Sequence, residues 1–336
     1  MKEGTPPHGS MQTPALHQPH DKLFRGVFSQ PDNAAAFLRS HLPSEIVRLL
    51  AWQTLTIEST GFTDANYLTL ESDLSYAIRF HNSDEELLIL VEHQSSQQPM
   101  FLLRALGYVT RTWERLIRAA GGDRLPPLLC VVVAQSPHAW AGPVNLAHLV
   151  RLSPEATGAL QSYQPSLGLH VVDLFSIPYD QIFGTPDGVL ALRALKAQPT
   201  GELLSEAVWD TSVIKQVSPH TAEMFLRYVL NAEDNKEAVL ARAEKVQSKS
   251  FLTNAMTIAQ QLIEEGRIEG RLEGRQEGSI QGSQRSVLLC LEIRFGQLPD
   301  SLRKQISAVQ SIPKLESILA STVNGASLEQ ITQALE

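Results

Sequence analysis

The alternation of apolar and polar positions predicts helices and strands in turn along the first half of the chain. Apolar residues recur at helical spacing in residues 20–50 and 101–120, and the second helix ends at Gly121 and Gly122. Strand patterns occupy residues 52–58, 74–80, 87–93, 128–133 and 169–174. The polar segment 81–86 joins two of these strands and predicts a hairpin. This order predicts an α/β fold in which helices flank a mixed central sheet.

The second half of the chain has helical spacing almost throughout. The predicted helices are 188–197, 201–209, 219–230, 251–265, 287–295 and 299–319. A polar stretch follows the third of these and reaches Ser250. We therefore divide the chain into a lead expected to be disordered (1–18), an α/β domain (19–185), a helical extension (186–250) and an all-helical C-terminal tail (251–336).

Glycine occupies every fourth position from Gly266 to Gly282 in the predicted tail. Glycine costs about 1 kcal/mol relative to alanine inside a helix, so the repeat weakens the segment. A period of four residues also drifts around the axis of an α-helix, and no straight face stays glycine. One interpretation is a solvated, partly frayed connector. The alternative is close contact between helices of a homo-oligomer, because small residues permit close approach.

Composition and charge restrict the class of protein. Of the 336 residues 43% are hydrophobic, enough for a sizeable core, and a net charge of -8 excludes a protein that is basic overall. No apolar run is long enough for a membrane span. Cys130 and Cys290 lie in apolar sequence, which favours free thiols in a reducing cytoplasm over disulfides or a zinc site. The N-terminal sequence lacks a signal-peptide pattern, and Met11 is an alternative start to Met1.

The predicted helix 101–120 carries a line of cationic and aromatic side chains at helical spacing. Its members are Arg104, Tyr108, Arg111, Arg115 and Arg118. The apolar side chains gather on the opposite side, and Glu114, the one acidic residue of this helix, lies off the line. The first interpretation is the solvated face of an amphipathic helix. The second is a ridge that contacts DNA, since arginine suits phosphate oxygens and tyrosine can stack on a base.

The apolar strand at 87–93 runs into the polar sequence Glu92-His93-Gln94. Strand alternation places Glu92 and Gln94 on one face and His93 on the other. If the hairpin forms, Asp73 at the start of the preceding strand lies at the same sheet edge as Glu92. Two carboxylates and an amide oxygen are hard ligands that suit Mg²⁺ or Mn²⁺, and such a metal can polarise a phosphodiester and activate water. The alternative is that Asp73 ends a turn and Glu92 is a solvated strand end.

An acidic residue that opens one strand, followed by Glu-x-Gln at the end of the next, resembles the core of the PD-(D/E)XK nucleases. More narrowly, residues 20–185 resemble the Rpn (YhgA-like) family of recombination-promoting nucleases and transposases. The segments that carry the resemblance are residues 20–24, 37–38, 41–43, 62–64, 72–76, 91–95 and 104–113. They occur in the order of the family. The tail resembles the family too, with its glycine repeat and a later Arg-Phe-Gly-x-Leu-Pro sequence.

The resemblance implies metal-dependent hydrolysis of DNA phosphodiesters, with Asp73 and Glu92 as ligands of Mg²⁺ or Mn²⁺. Gln94 stands where many PD-(D/E)XK enzymes have lysine. A glutamine orients water but brings no charge, so the positive charge must come from metal or arginine. The resemblance also implies that the backbone carbonyl of His93 completes the metal site. Asp64 is either a further acid near the site or a residue that shapes a turn.

One further residue and one short segment each have two interpretations. The His93 side chain is either a packed, hydrogen-bonded core histidine or a general base, and strand parity favours the core. Residues 20–22 either cap the first helix or face the substrate, with Lys22 then supplying a cation.

Two functions from different classes fit these patterns. The first is a DNA endonuclease of recombination or mobile elements, and the second is a catalytically weak DNA-binding or assembly protein of the same fold. The intact set of Asp73, Glu92 and Gln94 favours the first. A transposase of the three-carboxylate type would need a further acid on a downstream helix, and Glu114 is poorly placed for that role.

Overall fold

The computed structural model describes residues 19–58, 73–96, 98, 100–121 and 124–335. The predicted lead at 1–18 and Asp64 lie outside these residues. The chain forms two compact units, residues 1–259 and 260–336. In the described part of the chain, no helix is both long enough and apolar enough to cross a membrane.

A mixed sheet of five strands forms the centre of the first unit. The strands are β1 (Thr56–Glu58), β2 (Leu74–Arg79), β3 (Glu86–Gln94), β4 (Leu128–Ala134) and β5 (Leu169–Asp173), in that spatial order. The strands β1, β2 and β3 pair antiparallel, whereas β3, β4 and β5 pair parallel. The predicted hairpin is confirmed, with Leu74 opposite Val91.

Helices make up most of the remaining structure. They are α1 (Pro19–Phe28), α2 (Pro31–His41), α3 (Ser44–Val47), α4 (Phe101–Ala120), α5 (Pro154–Leu160), α6 (Pro186–Ala197), α7 (Thr211–Ile214), α8 (Pro219–Ala232), α9 (Lys236–Lys245), α10 (Lys249–Phe295), α11 (Asp300–Ala308), α12 (Ile312–Val323) and α13 (Leu328–Gln333). The predicted mixed α/β architecture with a long helical C-terminal region is therefore confirmed.

The parallel strands β3 and β4 are almost continuously apolar because helices cover the sheet. The crossover helix α4 packs on one face, where Leu102 and Val109 join Leu90, Cys130 and Val132 in the core. Helix α1 contacts α6 and α8, and its Phe24 ring stacks on His93 of β3. The site described below lies at the end of β3.

Several predicted elements differ from the structure. The helices predicted at 251–265 and 287–295 are parts of the single helix α10. The helix predicted over 299–319 is divided into α11 and α12, because Pro313 at the start of α12 cannot donate the hydrogen bond of a continuous helix.

The strand predicted over 52–58 begins only at Thr56, because residues 52–54 form a 3₁₀ turn closed by a hydrogen bond from the Thr54 N–H to the Ala51 carbonyl. Residues 201–209 form turns instead of a helix, beginning at Gly201 with a φ of 72°. The polar stretch before Ser250 contains α9, whose side chains Val239 and Ala243 are buried four residues apart.

The glycine repeat lies within α10, a single helix of 47 residues. Its glycines face open space, since a Cβ atom built on any of them would have no neighbouring atom within 4 Å. Ion pairs such as Arg267 with Glu264, 2.6 Å apart, lie on the same exposed stretch. The repeat is thus helical and solvated in the described chain, and a homo-oligomer contact at this surface stays a prediction.

Candidate metal and nucleic-acid site

The β2–β3 hairpin brings the two predicted acidic residues together. Because Leu74 lies opposite Val91, Asp73 lies opposite Glu92 at the end of the pair. The Asp73 Oδ2 atom accepts a hydrogen bond of 2.6 Å from the backbone N–H of His93. This bond fixes the Asp73 carboxylate against the strand that carries Glu92.

Glu92 is held in a mostly buried position, with a side chain that is 12% exposed. Its Oε1 atom accepts hydrogen bonds from Nη2 of Arg104 at 3.2 Å and from Nε2 of Gln94 at 3.4 Å. Its Oε2 atom is buried and has no hydrogen-bond partner among the described residues. A buried carboxylate oxygen without a partner is costly in free energy.

Burial and the negative charge of Asp73 together raise the pKa of Glu92 to about 8, although the Arg104 guanidinium opposes them. Burial also raises the pKa of Asp73, while the His93 N–H opposes this effect. The pKa values of the neighbouring Asp73 and Glu92 carboxyl groups are therefore both raised, mainly by burial. This arrangement is typical of carboxylates that hold a cation or share a proton.

These residues fit a hard divalent cation. The Asp73 carboxylate and the partnerless Glu92 Oε2 atom offer oxygen ligands, and Mg²⁺ usually keeps several waters beside one or two carboxylates. The His93 carbonyl, the third predicted ligand, accepts a hydrogen bond of 3.2 Å from Gln94 Nε2. Within the described ranges, no group of three or more His, Cys, Asp or Glu side chains is arranged to hold a metal.

The His93 side chain points away from this site, as strand parity predicts. It is fully buried, with Nδ1 at 2.8 Å from Oδ1 of Asp21 and Nε2 at 2.8 Å from Oε1 of Gln135. Both ring nitrogens are therefore engaged inside the protein. This environment is that of a hydrogen-bonded core histidine rather than of a general base.

Asp21 and Gln135 belong to a buried polar network that sequence reasoning missed. His20 Nδ1 lies 2.8 Å from the Tyr228 hydroxyl, and Gln135 Nε2 lies 3.3 Å from the same His20 nitrogen. The sequence predicts a helix cap or a substrate contact for Asp21, because nothing in the sequence links it to His93, 72 residues away. The network joins α1, β3, β4 and α8 directly behind the carboxylates.

Loss of this network is expected to destabilise the fold. A Gln135→Met variant leaves His93 Nε2 without its partner, which costs about 1–3 kcal/mol in the free energy of unfolding. Thermal denaturation measures the effect. Gln161→Met, at an exposed glutamine, is the control and should stay within about 0.5 kcal/mol. Equal melting temperatures for the two variants would mean that the network adds no stability.

The helix α4 carries the predicted arginine line, but not as one exposed face. Arg104, Tyr108, Arg111 and Arg115 are half-buried along the edge of the apolar stripe. Arg118 is fully exposed and pairs with Glu114 at 3.2 Å.

The predicted separation of one apolar side and one cationic side is therefore wrong in detail. Ile117, assigned to the core side, is 44% exposed, and Leu103 is 58% exposed. The core stripe contains Leu102 and Val109, both predicted for it, together with Ala105. A mean spacing of 100° per residue gives the direction of each side chain around the helix axis, but it does not predict how much of the helix surface other elements cover.

The electrostatic neighbours of the site include further residues of α1 and α4. Burial and the charge of Glu92 raise the pKa of Tyr108 to about 12, while Arg104 and Arg111 lower it. Asp21 raises and Arg25 lowers the pKa of Asp73. Arg25 was also missed by sequence reasoning, and Lys22, one turn before it, is exposed on the same helix. The site thus has cations on both flanking helices.

Comparison with known proteins adds the family. The family model described as "Putative transposase, YhgA-like" matches residues 18–222. The chain belongs to this YhgA-like family. The predicted resemblance is confirmed, and the match reaches beyond residue 185 to include α6 and α7. No solved structure matches the chain.

The curated relatives of this YhgA-like chain include both named nucleases and a protein named inactive. Recombination-promoting nuclease RpnD of Escherichia coli O157:H7 is 29% identical over 167 residues, 49% of this chain and 62% of that protein, so the match spans less than two thirds of RpnD. Recombination-promoting nuclease RpnA of Escherichia coli K12 is 32% identical over 126 residues, 37% of this chain and 43% of RpnA. Inactive recombination-promoting nuclease-like protein RpnE of the same strain is 27% identical over 255 residues, 74% of this chain and 82% of RpnE.

Proposed function

We propose that this protein is a metal-dependent DNA endonuclease that acts in recombination or on mobile elements, with a PD-(D/E)XK-type core at residues 19–185. The observation that carries the proposal is the convergence of Asp73 and Glu92, with the partnerless Oε2 atom of Glu92 between strand ends. Membership of the YhgA-like family and relatives named as nucleases support the same reading.

The residues of the chain have distinct parts in this activity. Asp73 and Glu92 would hold Mg²⁺ or Mn²⁺, and a bound ion of this kind polarises a phosphodiester and lowers the pKa of water. Gln94, whose amide is held at Glu92 Oε1 and at the His93 carbonyl, orients a water molecule. The His93 backbone N–H keeps the Asp73 carboxylate in place.

A second candidate is a DNA-binding or assembly protein of the same fold with little catalysis. The observation that favours it is the match to RpnE, a protein named inactive, over 74% of this chain. The observation against it is that all three residues are present, with Gln94 hydrogen-bonded to Glu92 and Asp73 at the same end of the strand pair. We also propose that the protein works in the cytoplasm, where DNA is available, and that the C-terminal helices at 251–336 can form a homo-oligomer.

A plasmid assay tests the proposed function. The purified chain should convert supercoiled DNA to nicked or linear product with Mg²⁺ or Mn²⁺, and a chelator should stop the reaction. Protein purified identically but carrying both Asp73→Asn and Glu92→Gln controls for contaminating nucleases. An absence of cutting by the unmodified chain with every divalent metal tested would favour the second candidate.

The arginines of α4 are expected to contact the DNA backbone. An Arg111→Glu and Arg115→Glu double variant should weaken DNA affinity and flatten its dependence on salt, because each lost phosphate contact removes about 0.9 from the log–log slope. Fluorescence anisotropy at several salt concentrations measures both quantities. Arg151→Glu is the control, since Arg151 is exposed and lies outside α4. Unchanged DNA affinity in the double variant would mean that this helix surface contributes to solubility and does not bind DNA.

A further inference from the structure

Two side chains from different elements reach the same oxygen atom of Glu92. Gln94, at the end of β3, donates from Nε2 over 3.4 Å, and Arg104, in the first turn of α4, donates from Nη2 over 3.2 Å. Gln94 is neutral, so at this oxygen the positive charge comes from the helix rather than from the strand. Arg104 thus differs from the rest of the arginine line, which lies farther along α4.

The Arg104 guanidinium is held in place but retains an unused donor. Its Nη1 atom donates to the Gln98 side chain, and its Cζ atom lies 5.1 Å from the centre of the Phe101 ring. Its Nε atom is buried and has no hydrogen-bond partner within the described residues. The Nε and Nη2 atoms form one edge of the guanidinium, the geometry that binds two oxygens of a phosphate.

We propose that Arg104 is a catalytic residue that binds the phosphate group undergoing hydrolysis and stabilises its added negative charge. This inference rests on the proposed function. The guanidinium that carries this partnerless Nε donor lies against the Glu92 carboxylate, where an approaching phosphodiester would otherwise meet only negative and neutral groups on the strand side. A fixed cation at the point where charge develops lowers the barrier without reorganisation.

The chemical step leaves Arg104 unchanged. A bond forms between the oxygen of water and phosphorus, and one ester bond between phosphorus and a deoxyribose oxygen breaks. One proton of the water goes to the leaving oxygen, and the other passes to solvent. The guanidinium only pairs with a non-bridging oxygen, which carries more negative charge in the transition state than in the substrate.

Three variants test this role: Arg104→Met, Arg104→Lys and the double variant Arg104→Met with Gln94→Lys. Arg104→Met should lower kcat by a factor on the order of 10²–10³ with little change in KM for DNA, because the lost interaction strengthens in the transition state. Arg104→Lys should keep more of the rate. The double variant should cut at least about tenfold faster than Arg104→Met alone, since Gln94→Lys returns a cation to the same oxygen of Glu92. Arg151→Met, at an exposed arginine outside α4, is the control, with an unchanged rate.

Mn²⁺ affinity measured without DNA gives a readout that does not depend on cutting. Arg104 is not a proposed metal ligand, so Arg104→Met should still bind Mn²⁺ at saturating metal while its rate of cutting falls. Arg151→Met, at an exposed arginine outside α4, should bind Mn²⁺ and cut like the unmodified chain. A residue that only holds Glu92 in place for the metal would lose Mn²⁺ binding together with the rate.

The outcomes separate this inference from the proposed function. If the unmodified chain cuts DNA but Arg104→Met cuts at the same kcat with a raised KM, Arg104 belongs to the DNA-binding ridge and the catalytic role is overturned. Loss of Mn²⁺ binding by Arg104→Met at saturating metal would also overturn it. If the unmodified chain fails to cut DNA with every divalent metal tested, the proposed function fails, and the catalytic role of Arg104 fails with it.

Discussion

Replacement of Glu92 by glutamine, or of Asp73 by asparagine, is expected to lower the rate of DNA cleavage by a factor on the order of 10³ or more. Either change removes a negative oxygen ligand while keeping the shape of the side chain. A bound metal contributes several kcal/mol to stabilisation of the transition state, and each 1.36 kcal/mol is a factor of ten in rate. The initial rate of plasmid nicking at saturating Mg²⁺ measures the loss.

The matched control for this prediction lies on the same strand. Glu86→Gln changes a carboxylate at the other end of β3, where the Glu86 side chain is 47% exposed and lies 3.6 Å from Arg79. This variant should cut DNA at the rate of the unmodified chain. Circular dichroism should give the same spectrum for all three variants. Equal rates of cutting by Glu92→Gln, Asp73→Asn and Glu86→Gln would show that Asp73 and Glu92 take no part in catalysis.

The same pair is expected to make stability depend on pH. The folded-state pKa of Glu92, at about 8, lies above its ordinary value of 4.5, so the folded state binds more protons than the unfolded state between these values. The stability contribution of the protonated carboxyl is complete below about pH 4.5 and is lost as the pH rises through 8. In the presence of a chelator, the unmodified chain should therefore lose stability over this window, by on the order of 3 kcal/mol.

Glu92→Gln should remove most of this pH dependence, because glutamine does not ionise. At pH 9 in chelator its melting temperature should exceed that of the unmodified chain by roughly 5–10 °C, and at pH 5 the two should agree closely. Addition of Mg²⁺ at pH 9 should stabilise the unmodified chain and leave Glu92→Gln unaffected. Glu86→Gln should follow the unmodified chain at every pH. If the melting temperature of the unmodified chain in chelator did not change from pH 5 to 9, the claim that burial raises the pKa of Glu92 would be contradicted.

The sheet and the carboxylate pair could be predicted from the sequence because local patterns determine both. A polar turn between two apolar strands specifies a hairpin, and the hairpin places Asp73 opposite Glu92. The period of two residues along a strand separates His93 from Glu92 and Gln94. Each of these rules uses residues that are close in sequence or paired across one turn.

The rest of the site could not be predicted because it depends on long-range packing. Nothing in the spacing links Asp21 to His93, or Gln135 to Tyr228, which are 72 and 93 residues apart. The ion pair between Arg104 and Glu92 depends on how α4 is rotated on the sheet. The helical wheel gives the line of arginines, but only packing decides which of them reaches the carboxylates.

The most direct test of the central claim combines Mn²⁺ binding and DNA cleavage in the same samples. Electron paramagnetic resonance counts bound Mn²⁺, and plasmid nicking measures activity, for the unmodified chain, for Glu86→Gln and for the double variant Asp73→Asn with Glu92→Gln. We predict a tightly bound Mn²⁺ and cutting in the first two proteins, with both lost together in the double variant. Cutting that persists in the double variant, or that continues in excess chelator, would contradict the claim that Asp73 and Glu92 hold the metal of a nuclease.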